Sequence, residues 1–282
     1  MVIVKQPEID GVLAAAEAAA EADGVAPLSE HSVLALRAGA PALTVSDGSA
    51  VVACARLDPA ADGEPASGEL FVHPGHRRRG HGRRLLRALR EEAAGPLRVW
   101  AHGDLPGAAA LAAAEGMTRA RALFQMRRPA DRPLPDPKVP DGVGVRTFRP
   151  GRDEDAWLTV NARAFATHPE QGSWTIDDLR ARESESWFDP SGFFLAERDG
   201  RLAGFHWTKV HPGGLGEVYV VGVDPSAQGL GLGRALTLTG LHHLRDQGLT
   251  ELMLYVDESN RAAVHLYETL GFTKYAVDVM YA

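Results

Sequence analysis

Cysteine is almost absent from this chain of 282 residues, because Cys54 is the only one. An intramolecular disulfide is therefore excluded, and so is a metal site built on several thiolates. Cys54 lies within the apolar run at residues 51–55, which is typical of a small core residue. A chain of this kind suits a reducing compartment.

Long apolar runs and a surplus of basic residues are also missing. No run approaches the ~20 apolar residues that span a bilayer, and the first residues lack the pattern of a secretory signal. The 30 Lys and Arg are outnumbered by 37 Asp and Glu, which gives a net charge of -7. We therefore expect a cytoplasmic protein that binds neither nucleic acid nor membranes.

The composition that remains, 45% hydrophobic and 24% charged, is ordinary for a folded globular protein. Prolines at 129, 133, 135, 137 and 140 deny the backbone the donors that helices and inner strands need. We predict an extended linker at 129–141 that separates an N-terminal domain, 1–128, from a C-terminal domain, 142–282.

The two domains repeat each other in sequence. Residues 70–87 align with 221–238 at a constant offset, and residues 116–126 resemble 271–280 near the end of each domain. The aligned pairs in the first correspondence are Pro74 with Pro225, Arg77 with Gln228, Gly80 with Gly231, Gly82 with Gly233 and Arg83 with Arg234. We infer two copies of one fold.

The second copy shows enough periodicity to predict its elements. Asp199-Gly200 predicts a hairpin turn between two strands, and Thr175 predicts the start of a helix. The predicted strands are 143–148, 193–198, 202–210, 216–223, 250–256 and one at the end; the predicted helices are 154–166, 175–188, 232–247 and 260–270. This order predicts an α/β fold (an α+β mixed sheet) with helices on its faces.

The most specific motif is the glycine loop Gln228–Arg234 between a strand and an amphipathic helix. Free N–H groups at such a helix start can bind phosphate oxygens. The spacing does not fit a dinucleotide fingerprint, and the Gly-Lys-Ser/Thr of a nucleotide triphosphatase loop is absent. A glycine turn without a ligand stays open, although recurrence in both copies makes it less favoured.

The pattern Gln/Arg-x-x-Gly-x-Gly/Ala at Gln228–Gly233 and Arg77–Gly82 resembles the acyl-CoA pyrophosphate loop of the GNAT superfamily of acyltransferases. Asn260–Ala263 and Leu266–Phe272 also fit that family's order. The resemblance implies two tandem GNAT acyl-CoA N-acyltransferase folds. It also implies acetyl-CoA as cosubstrate and no metal.

In this family the pantetheine arm lies between two splayed parallel strands, here 216–223 and 250–256. The resemblance assigns cofactor contacts in the second copy to Val221, Gly222, Val223, Gln228, Gly229, Leu230, Gly231, Leu232, Gly233, Arg234 and Asn260. In the first copy the corresponding residues are Leu70, Phe71, Val72, Arg78, Arg79, Gly80, His81, Gly82 and Arg83. Whether the first copy holds a cofactor stays open.

The resemblance also assigns the proton handlers. Glu217 is the expected general base, acting through a water on an amine that must be neutral to attack, and Tyr267 is the expected general acid. A solvated charge at the start of the strand, for Glu217, and a half-buried helix tyrosine packed on the sheet, for Tyr267, are the alternatives. The first copy has Ala66 opposite Glu217 and Ala112 opposite Tyr267, with Leu105 opposite Asn260. We therefore expect catalysis in 142–282.

More restrictive segments at 165–172, 205–211, 216–225 and 254–260 are similar to two-domain actinobacterial GNAT enzymes that complete mycothiol biosynthesis. These enzymes acetylate the cysteinyl amine of cysteinyl-glucosaminyl-inositol. The implied substrate contacts are Glu30, Glu170, Lys209, Glu217 and Tyr255. Two other functions stay open, acetylation of another small amine and coenzyme A sensing without turnover. Glu170 as a solvated loop residue and Lys209 as a strand-end cation also stay open.

Two further features could suggest a metal site or nucleic-acid binding, but other roles are favoured for both. His168, His206 and His211 lack a close metal-binding motif, so packing or surface roles are favoured. The seven arginines between Arg77 and Arg90 have no aromatic residues between them, so phosphate contact or a solvated helix face is favoured over nucleic acid. The partner we expect is a small amine, and the protein is expected to be a monomer.

Overall fold

The computed structural model describes residues 3–4, 8–60, 64–166 and 171–282. The chain forms two compact units. The first unit comprises Met1–Phe124, Asp257–Ser259 and Ala276–Ala282, and the second comprises Gln125–Val256 and Asn260–Tyr275. The sequence predicts two continuous domains, whereas the first unit includes the end of the chain. Since the two terminal strands have similar sequences, each can fill the same position in the fold.

The first unit is an open sheet with helices packed on it. Its sheet has the order β1-β2-β3-β4-β5-β12, in which only the β4–β5 pair is parallel. Its elements are β1 (Ile3–Val4), α1 (Ile9–Asp23), α2 (Glu30–Arg37), β2 (Leu43–Asp47), β3 (Ala50–Asp58), β4 (Ala66–Val72), α3 (His81–Ala93), β5 (Leu97–Ala101), α4 (Pro106–Ala114), the first part of β6 (Arg119–Pro129) and the end of β12 (Thr273–Tyr281).

The second unit repeats this plan. Its sheet has the order β6-β11-β10-β9-β8-β7, with a parallel β10–β11 pair and antiparallel β7–β8, β8–β9 and β9–β10 pairs. Its elements are the end of β6, β7 (Val143–Thr147), α5 (Glu154–Ala164), α6 (Ile176–Glu183), β8 (Phe193–Arg198), β9 (Arg201–His211), β10 (Leu215–Val223), α7 (Leu232–Asp246), β11 (Glu251–Asp257), α8 (Arg261–Thr269) and the start of β12. The predicted mixed sheet is present.

Local sequence explains where most of these elements begin. Thr175 caps α6 in a reciprocal capping box with Asp178, as its sequence predicts. The predicted end of this helix at residue 188 is wrong, because α6 ends at Glu183. Trp187 and Phe188 instead pack into the aromatic core of the second unit, and this tertiary contact overrides the helical pattern.

Both units open between their parallel strands. In the second unit, β10 pairs with β11 only from Leu215 to Val218, although β10 continues to Val223. In the first unit, β4 pairs with β5 only from Ala66 to Glu69, and β4 continues to Val72. Each sheet therefore diverges at the same place, which leaves one backbone edge of the strand available to a ligand. Across the described parts of the chain, no helix has the length and apolarity to cross a membrane.

Candidate active site

The glycine loop of the second unit is shaped by two left-handed residues. Gly229 and Gly231 both have φ +80°, a conformation that side chains rarely adopt. Gly231 then begins α7 without any side-chain cap. Because the first N–H groups of a helix have no intrahelical acceptor, this loop presents donors and the positive end of the helix dipole to an anion.

The loop of the first unit has the same backbone. Arg78 and Gly80 have φ +62° and +83° at the positions of Gly229 and Gly231, and Gly80 begins α3 without a side-chain cap. Arg78 carries a Cβ in this conformation and therefore stores strain that a glycine would not. The repeat inferred from sequence thus extends to the dihedral angles.

The strand that leads into this loop has one unpaired edge. Val221, Gly222 and Val223 pair with β9, whereas the parallel register with β11 stops at Val218 in the described chain. A β-bulge between Val218 and Val220 accompanies the divergence. Backbone N–H and C=O groups beyond the bulge can therefore pair with the amides of a pantetheine arm or with a thioester carbonyl.

Glu217 lies on β10 just before the sheet diverges, and only 6% of its surface is exposed. Its Oε2 is 2.6 Å from Nε2 of His211. Lys209 is directly opposite Glu217 on β9 and is also buried. The alternatives of a solvated carboxylate and an ordinary surface lysine are therefore wrong, since both charges are removed from bulk water and cost free energy unless paired.

Lys209 is held by aromatic rings. Its Nζ lies 4.3 Å from the centroid of the Trp187 ring and 5.3 Å from that of Tyr219. The Tyr219 hydroxyl accepts a hydrogen bond of 2.8 Å from Nε of Arg182, whose guanidinium stacks 3.8 Å from the centroid of Trp174. Cation–π contacts thus hold the ammonium of Lys209, which lies opposite Glu217 in the sheet.

His211 is a residue that sequence reasoning assigned to packing or the surface. It precedes a hairpin with Gly213 and Gly214, and this turn returns the chain so that Glu217 faces it. The sequence does indicate that His211 shares a face with Lys209, because the two residues are two positions apart on one predicted strand. Only the turn geometry shows that Glu217 shares this face.

Tyr267 lies on α8, with its ring against Phe272 at a centroid distance of 6.0 Å. Burial raises the pKa of this phenol to about 12, so it stays protonated at neutral pH. In the described chain, its hydroxyl has no hydrogen bond. A general acid must be protonated before the reaction, and the raised pKa of Tyr267 meets this requirement.

Contacts at both ends fix α8. Asn260 caps its start by accepting a hydrogen bond from the N–H of Ala263. Near its end, Arg234 Nη1 donates to Thr269 Oγ1 at 3.1 Å, so the first turn of α7 lies beside the last turn of α8. The buried Arg128 donates from Nη1 to the carbonyl of Leu270 at 2.7 Å. The helix that carries Tyr267 is therefore tied to the glycine loop.

The other predicted substrate contacts are placed unevenly. Tyr255 lies on the same face of the sheet as Glu217, since Glu217 is opposite Met253 in the parallel register. Its ring is 40% exposed, and its hydroxyl accepts a hydrogen bond from Gln125. Glu30 lies in the first turn of α2 in the first unit. Glu170 and the neighbouring His168 lie outside the described residues.

A cavity of about 630 Å³ opens in the first unit between the diverging strands β4 and β5. Of the nine residues that sequence assigns to a cofactor there, Arg79 is the one that does not line it. The lining residues from that assignment are Leu70, Phe71, Val72, Arg78, Gly80, His81, Gly82 and Arg83. The cavity therefore joins the glycine loop to the open strand edge.

The arginines of the first unit are largely paired. Arg77 makes a bidentate contact with Asp23 at 2.7 and 2.6 Å. Arg83, Arg87 and Arg90 all lie within 3.5 Å of Glu115. Four of the seven arginines therefore contact a carboxylate of their own unit.

The structure supports one predicted correspondence between the two copies and corrects the other. Leu105 and Asn260 are the N-cap residues of α4 and α8, so Ala112 occupies the position of Tyr267. The β-bulge between Val218 and Val220 adds one residue to β10, so the predicted pairing of Ala66 with Glu217 is wrong. Ser67 pairs with Asp58 and Arg98 as Glu217 pairs with Lys209 and Met253, and Ser67 therefore occupies the position of Glu217 in the first unit.

The first unit nevertheless holds ionisable groups that sequence reasoning missed. His102 Nδ1 lies 3.0 Å from Asp278 Oδ2, and its Nε2 lies 3.5 Å from Glu69 Oε1. His102 and Asp278 are 176 residues apart. Asp278 lies on β12, and no sequence pattern predicts that the end of this strand pairs with β5 in the first unit.

Two expected core residues are in the core. Cys54 is fully buried, and burial raises the pKa of its thiol to about 12. His206 is also fully buried, and its Nδ1 is 2.7 Å from the carbonyl of Leu236. The described residues include no group of three or more His, Cys, Asp or Glu side chains able to hold a metal ion.

Both units resemble known acetyltransferases. The acetyltransferase (GNAT) family model matches residues 158–272, and an acetyltransferase (GNAT) domain model matches residues 39–124. A solved tandem GNAT protein from the clavulanic acid biosynthesis pathway has a TM-score of 0.76 at 25% identity and covers 99% of this chain and 97% of its own. These matches confirm two tandem GNAT folds, and GNAT acetyltransferases use acetyl-CoA.

Curated relatives narrow the family. The mycothiol acetyltransferase of Thermomonospora curvata is 72% identical over 98% of this chain and 93% of its own length. The mycothiol acetyltransferase of Thermobispora bispora is 62% identical over 96% of this chain and 95% of its own. The chain therefore belongs to the mycothiol acetyltransferase family of GNAT acetyltransferases.

Proposed function

We propose that the second unit transfers the acetyl group of acetyl-CoA to the cysteinyl amine of cysteinyl-glucosaminyl-inositol, the last step of mycothiol biosynthesis. Two relatives that are 72% and 62% identical are named mycothiol acetyltransferase, and this supports mycothiol as the product. The observation that carries the proposal is the buried Glu217, paired with His211 at the point where β10 and β11 diverge. This carboxylate lies beside the unpaired edge of β10, where we expect the thioester to bind.

The reaction begins with a neutral amine, because an ammonium has no lone pair. The amine nitrogen attacks the thioester carbonyl carbon, and Glu217 takes its proton through a water. The N–C bond forms, the C–S bond breaks, and the departing thiolate takes a proton from Tyr267. A backbone N–H on the open edge of β10 stabilises the oxyanion that develops on the carbonyl.

The cofactor contacts follow from the backbone. Val221, Gly222 and Val223 bind the pantetheine arm along their unpaired edge, and the loop Gln228–Arg234 binds the pyrophosphate at the start of α7. Asn260 contributes its amide nitrogen at the start of α8. In the first unit the same backbone holds a second cofactor without turnover, because Ser67 and Ala112 replace the proton handlers.

The substrate contacts follow from charge. Glu217 and Glu170 accept from an ammonium or from sugar hydroxyls, and Lys209 and Tyr255 donate to the polyol. We place the enzyme in the cytoplasm as a monomer that binds neither nucleic acid nor membranes, consistent with its acidic net charge.

The test measures CoA release by purified protein over a panel of small amines. Cysteinyl-glucosaminyl-inositol is expected to give the highest kcat/KM, and no preference for it would reject the substrate. Glu217→Gln is expected to reduce kcat by ~10²–10⁴ while the Kd for acetyl-CoA stays unchanged.

The matched control is Glu197→Gln. Glu197 is a strand carboxylate paired with Arg146 on β7, and its variant is expected to keep full activity. Stoichiometric acetyl-CoA binding with no CoA release from any amine would contradict the proposed transfer and favour a sensor.

A further inference from the structure

The proline-rich segment that follows β6 is fixed to the second unit at several points. Proline lacks a backbone N–H, and β6 accordingly ends at Pro129. Ala130, which is almost fully buried, donates its N–H to the carbonyl of Thr250 at 3.1 Å. Nε2 of His242 lies 3.0 Å from the carbonyl of Pro135. The start of the predicted linker therefore packs as part of the second unit.

Two arginines beside this segment hold the turn at 270–272 that ends α8. Arg128 Nη1 donates to the carbonyl of Leu270 at 2.7 Å, and Arg132 Nη1 donates to that of Gly271 at 3.0 Å. Gly271 has φ +88°, and a Cβ there would lie 2.6 Å from Cζ of Arg132. The turn therefore requires a glycine both for its angle and for the approach of the guanidinium.

Arg128 is a buried cation that binds only the backbone. It is 1% exposed, and within the described residues its hydrogen bonds go to the carbonyls of Pro129, Arg132 and Leu270. Burial lowers the pKa of its guanidinium, and so does the charge of Arg132, but an arginine stays charged in a protein. Burying a charge costs free energy unless it is paired. The Leu270 carbonyl suits it, because the end of a helix carries the negative end of the helix dipole.

The same turn fixes Tyr267. Its carbonyl accepts from the N–H groups of Leu270 and Phe272, both at 3.0 Å. Its ring packs edge-on against that of Phe272 at a centroid distance of 6.0 Å, and Cζ of Arg128 lies 5.9 Å from the centroid of the same Phe272 ring. Arg128 thus reaches Tyr267 by two routes, through the backbone of the turn and through the ring of Phe272.

The turn after α4 occupies the same position in the first unit. The carbonyl of Glu115 there accepts from Arg90 Nη2 at 2.7 Å, which matches the bond that Arg128 makes. Gly116 also has a positive φ, of +73°, but a Cβ there would meet nothing within 4 Å. In the described chain, the close approach of a second arginine is therefore found only at the turn of the unit that has Tyr267.

We propose that Arg128 is a positioning residue for the reaction: it fixes the end of α8 and the ring of Phe272, and these hold the phenol of Tyr267 toward the departing thiolate. The proposal rests on the proposed role of Tyr267 as general acid. Position matters at this step, since a displacement of about 1 Å can reduce a rate by ~10²-fold. Arg132 supports the same turn from the exposed side.

The experiment measures CoA release by full-length variants. Arg128→Met keeps an unbranched chain against Phe272 and removes the donors, so it is expected to lower kcat by ~10–100-fold. The Kd for acetyl-CoA is expected to change by no more than about twofold, because the glycine loop is untouched. Arg128→Lys restores one donor for the Leu270 carbonyl but not the fork, so it is expected to recover part of the lost kcat.

The decisive comparison is made in the Tyr267→Phe background. There Arg128→Met is expected to lower kcat by no more than about twofold, because no acid remains to be positioned. Losses that multiply would overturn the inference, since they would show that Arg128 supports the fold of the unit and not its acid. An unchanged kcat in Tyr267→Phe alone would remove the proposed acid and this inference with it, so the two failures are distinguishable.

Arg90→Met is the matched control, because it removes the equivalent bond to Glu115 in the unit that has Ala112. It is expected to keep full kcat, and a loss as large as that of Arg128→Met would overturn the inference.

A second variant leaves the core filled. Arg132 is exposed, so Arg132→Ala removes only the outer contact with the turn. It is expected to lower kcat about threefold or more in the parent and to have no further effect in Tyr267→Phe. Equal proportional losses in the two backgrounds would overturn the inference.

Discussion

Gly240→Ala is predicted to destabilise the second unit, because Gly240 gives the ring of His206 its space. Gly240 lies on the buried face of α7, and a Cβ there would be 2.1 Å from Cε1 and 2.3 Å from Nδ1 of His206. Real Cβ contacts do not approach this closely. His206 has nowhere to move, since it is fully buried and its Nδ1 bonds the carbonyl of Leu236 at 2.7 Å.

The magnitude follows from three contributions. Displacing the ring leaves buried polar groups unpaired, which costs about 1–3 kcal/mol. Overpacking costs about 1–3 kcal/mol, and the better helix propensity of alanine returns at most about 1 kcal/mol. The net loss in free energy of unfolding is roughly 1–6 kcal/mol. Since His206 is opposite Val221 on β10, the loss also affects the strand that is proposed to bind the thioester.

Urea denaturation monitored by circular dichroism measures this loss as a lower midpoint with an unchanged slope. Gly107→Ala is the matched control, because Gly107 lies in α4 and a Cβ there meets nothing within 4 Å. It is expected to leave stability unchanged or raise it by up to about 1 kcal/mol. The double variant Gly240→Ala with His206→Ala is expected to cost less than the sum of the singles. Neutral substitutions change the free energy of unfolding by up to ~0.5 kcal/mol. A Gly240→Ala variant whose free energy of unfolding differs from that of the parent by no more than this would refute the steric argument.

Three further predictions concern the second unit. Tyr267→Phe is expected to lower kcat by ~10²–10⁴ without changing the Kd for acetyl-CoA, since it removes the proton donor alone; an unchanged kcat in a CoA-release assay would remove Tyr267 from the mechanism. His211→Gln is expected to lower kcat/KM about tenfold or more at unchanged acetyl-CoA affinity, because the hydrogen bond that orients Glu217 is weakened; full activity would show that Glu217 orients itself. Burial lowers the pKa of His206 to about 4, so the unfolded chain takes up the proton first as pH falls. Stability is therefore expected to decrease between about pH 6.5 and 4 by up to about 3 kcal/mol, and His206→Gln is expected to flatten this part of the urea-midpoint profile.

The features that sequence predicts well are those determined by local backbone chemistry. The loop Gln228–Arg234 is predicted from its glycines and its position between a strand and a helix. In the structure, Gly229 and Gly231 have left-handed angles and the helix starts without a side-chain cap. The turn at Asp199-Gly200 has positive φ at both residues, as the sequence signal requires. In each of these cases a few adjacent residues determine the geometry.

The features that sequence does not predict depend on distant segments. The division of the chain into units could not be predicted, because residues 116–126 and 271–280 are similar and either segment can complete a sheet. The contact of Asp278 with His102 depends on that choice. The end of α6 at Glu183 depends on the packing of Trp187, which no local pattern reveals.

The two units separate two kinds of information that a sequence repeat usually combines. Both keep a pair of left-handed residues before a helix and a parallel strand pair that diverges, and these are backbone properties that many side chains tolerate. The proton handlers proposed for the second unit are the side chains of Glu217 and Tyr267, and the first unit has Ser67 and Ala112 at the corresponding positions. Binding of a ligand by main-chain donors is therefore compatible with divergence of the side chains, whereas acid–base catalysis requires particular side chains.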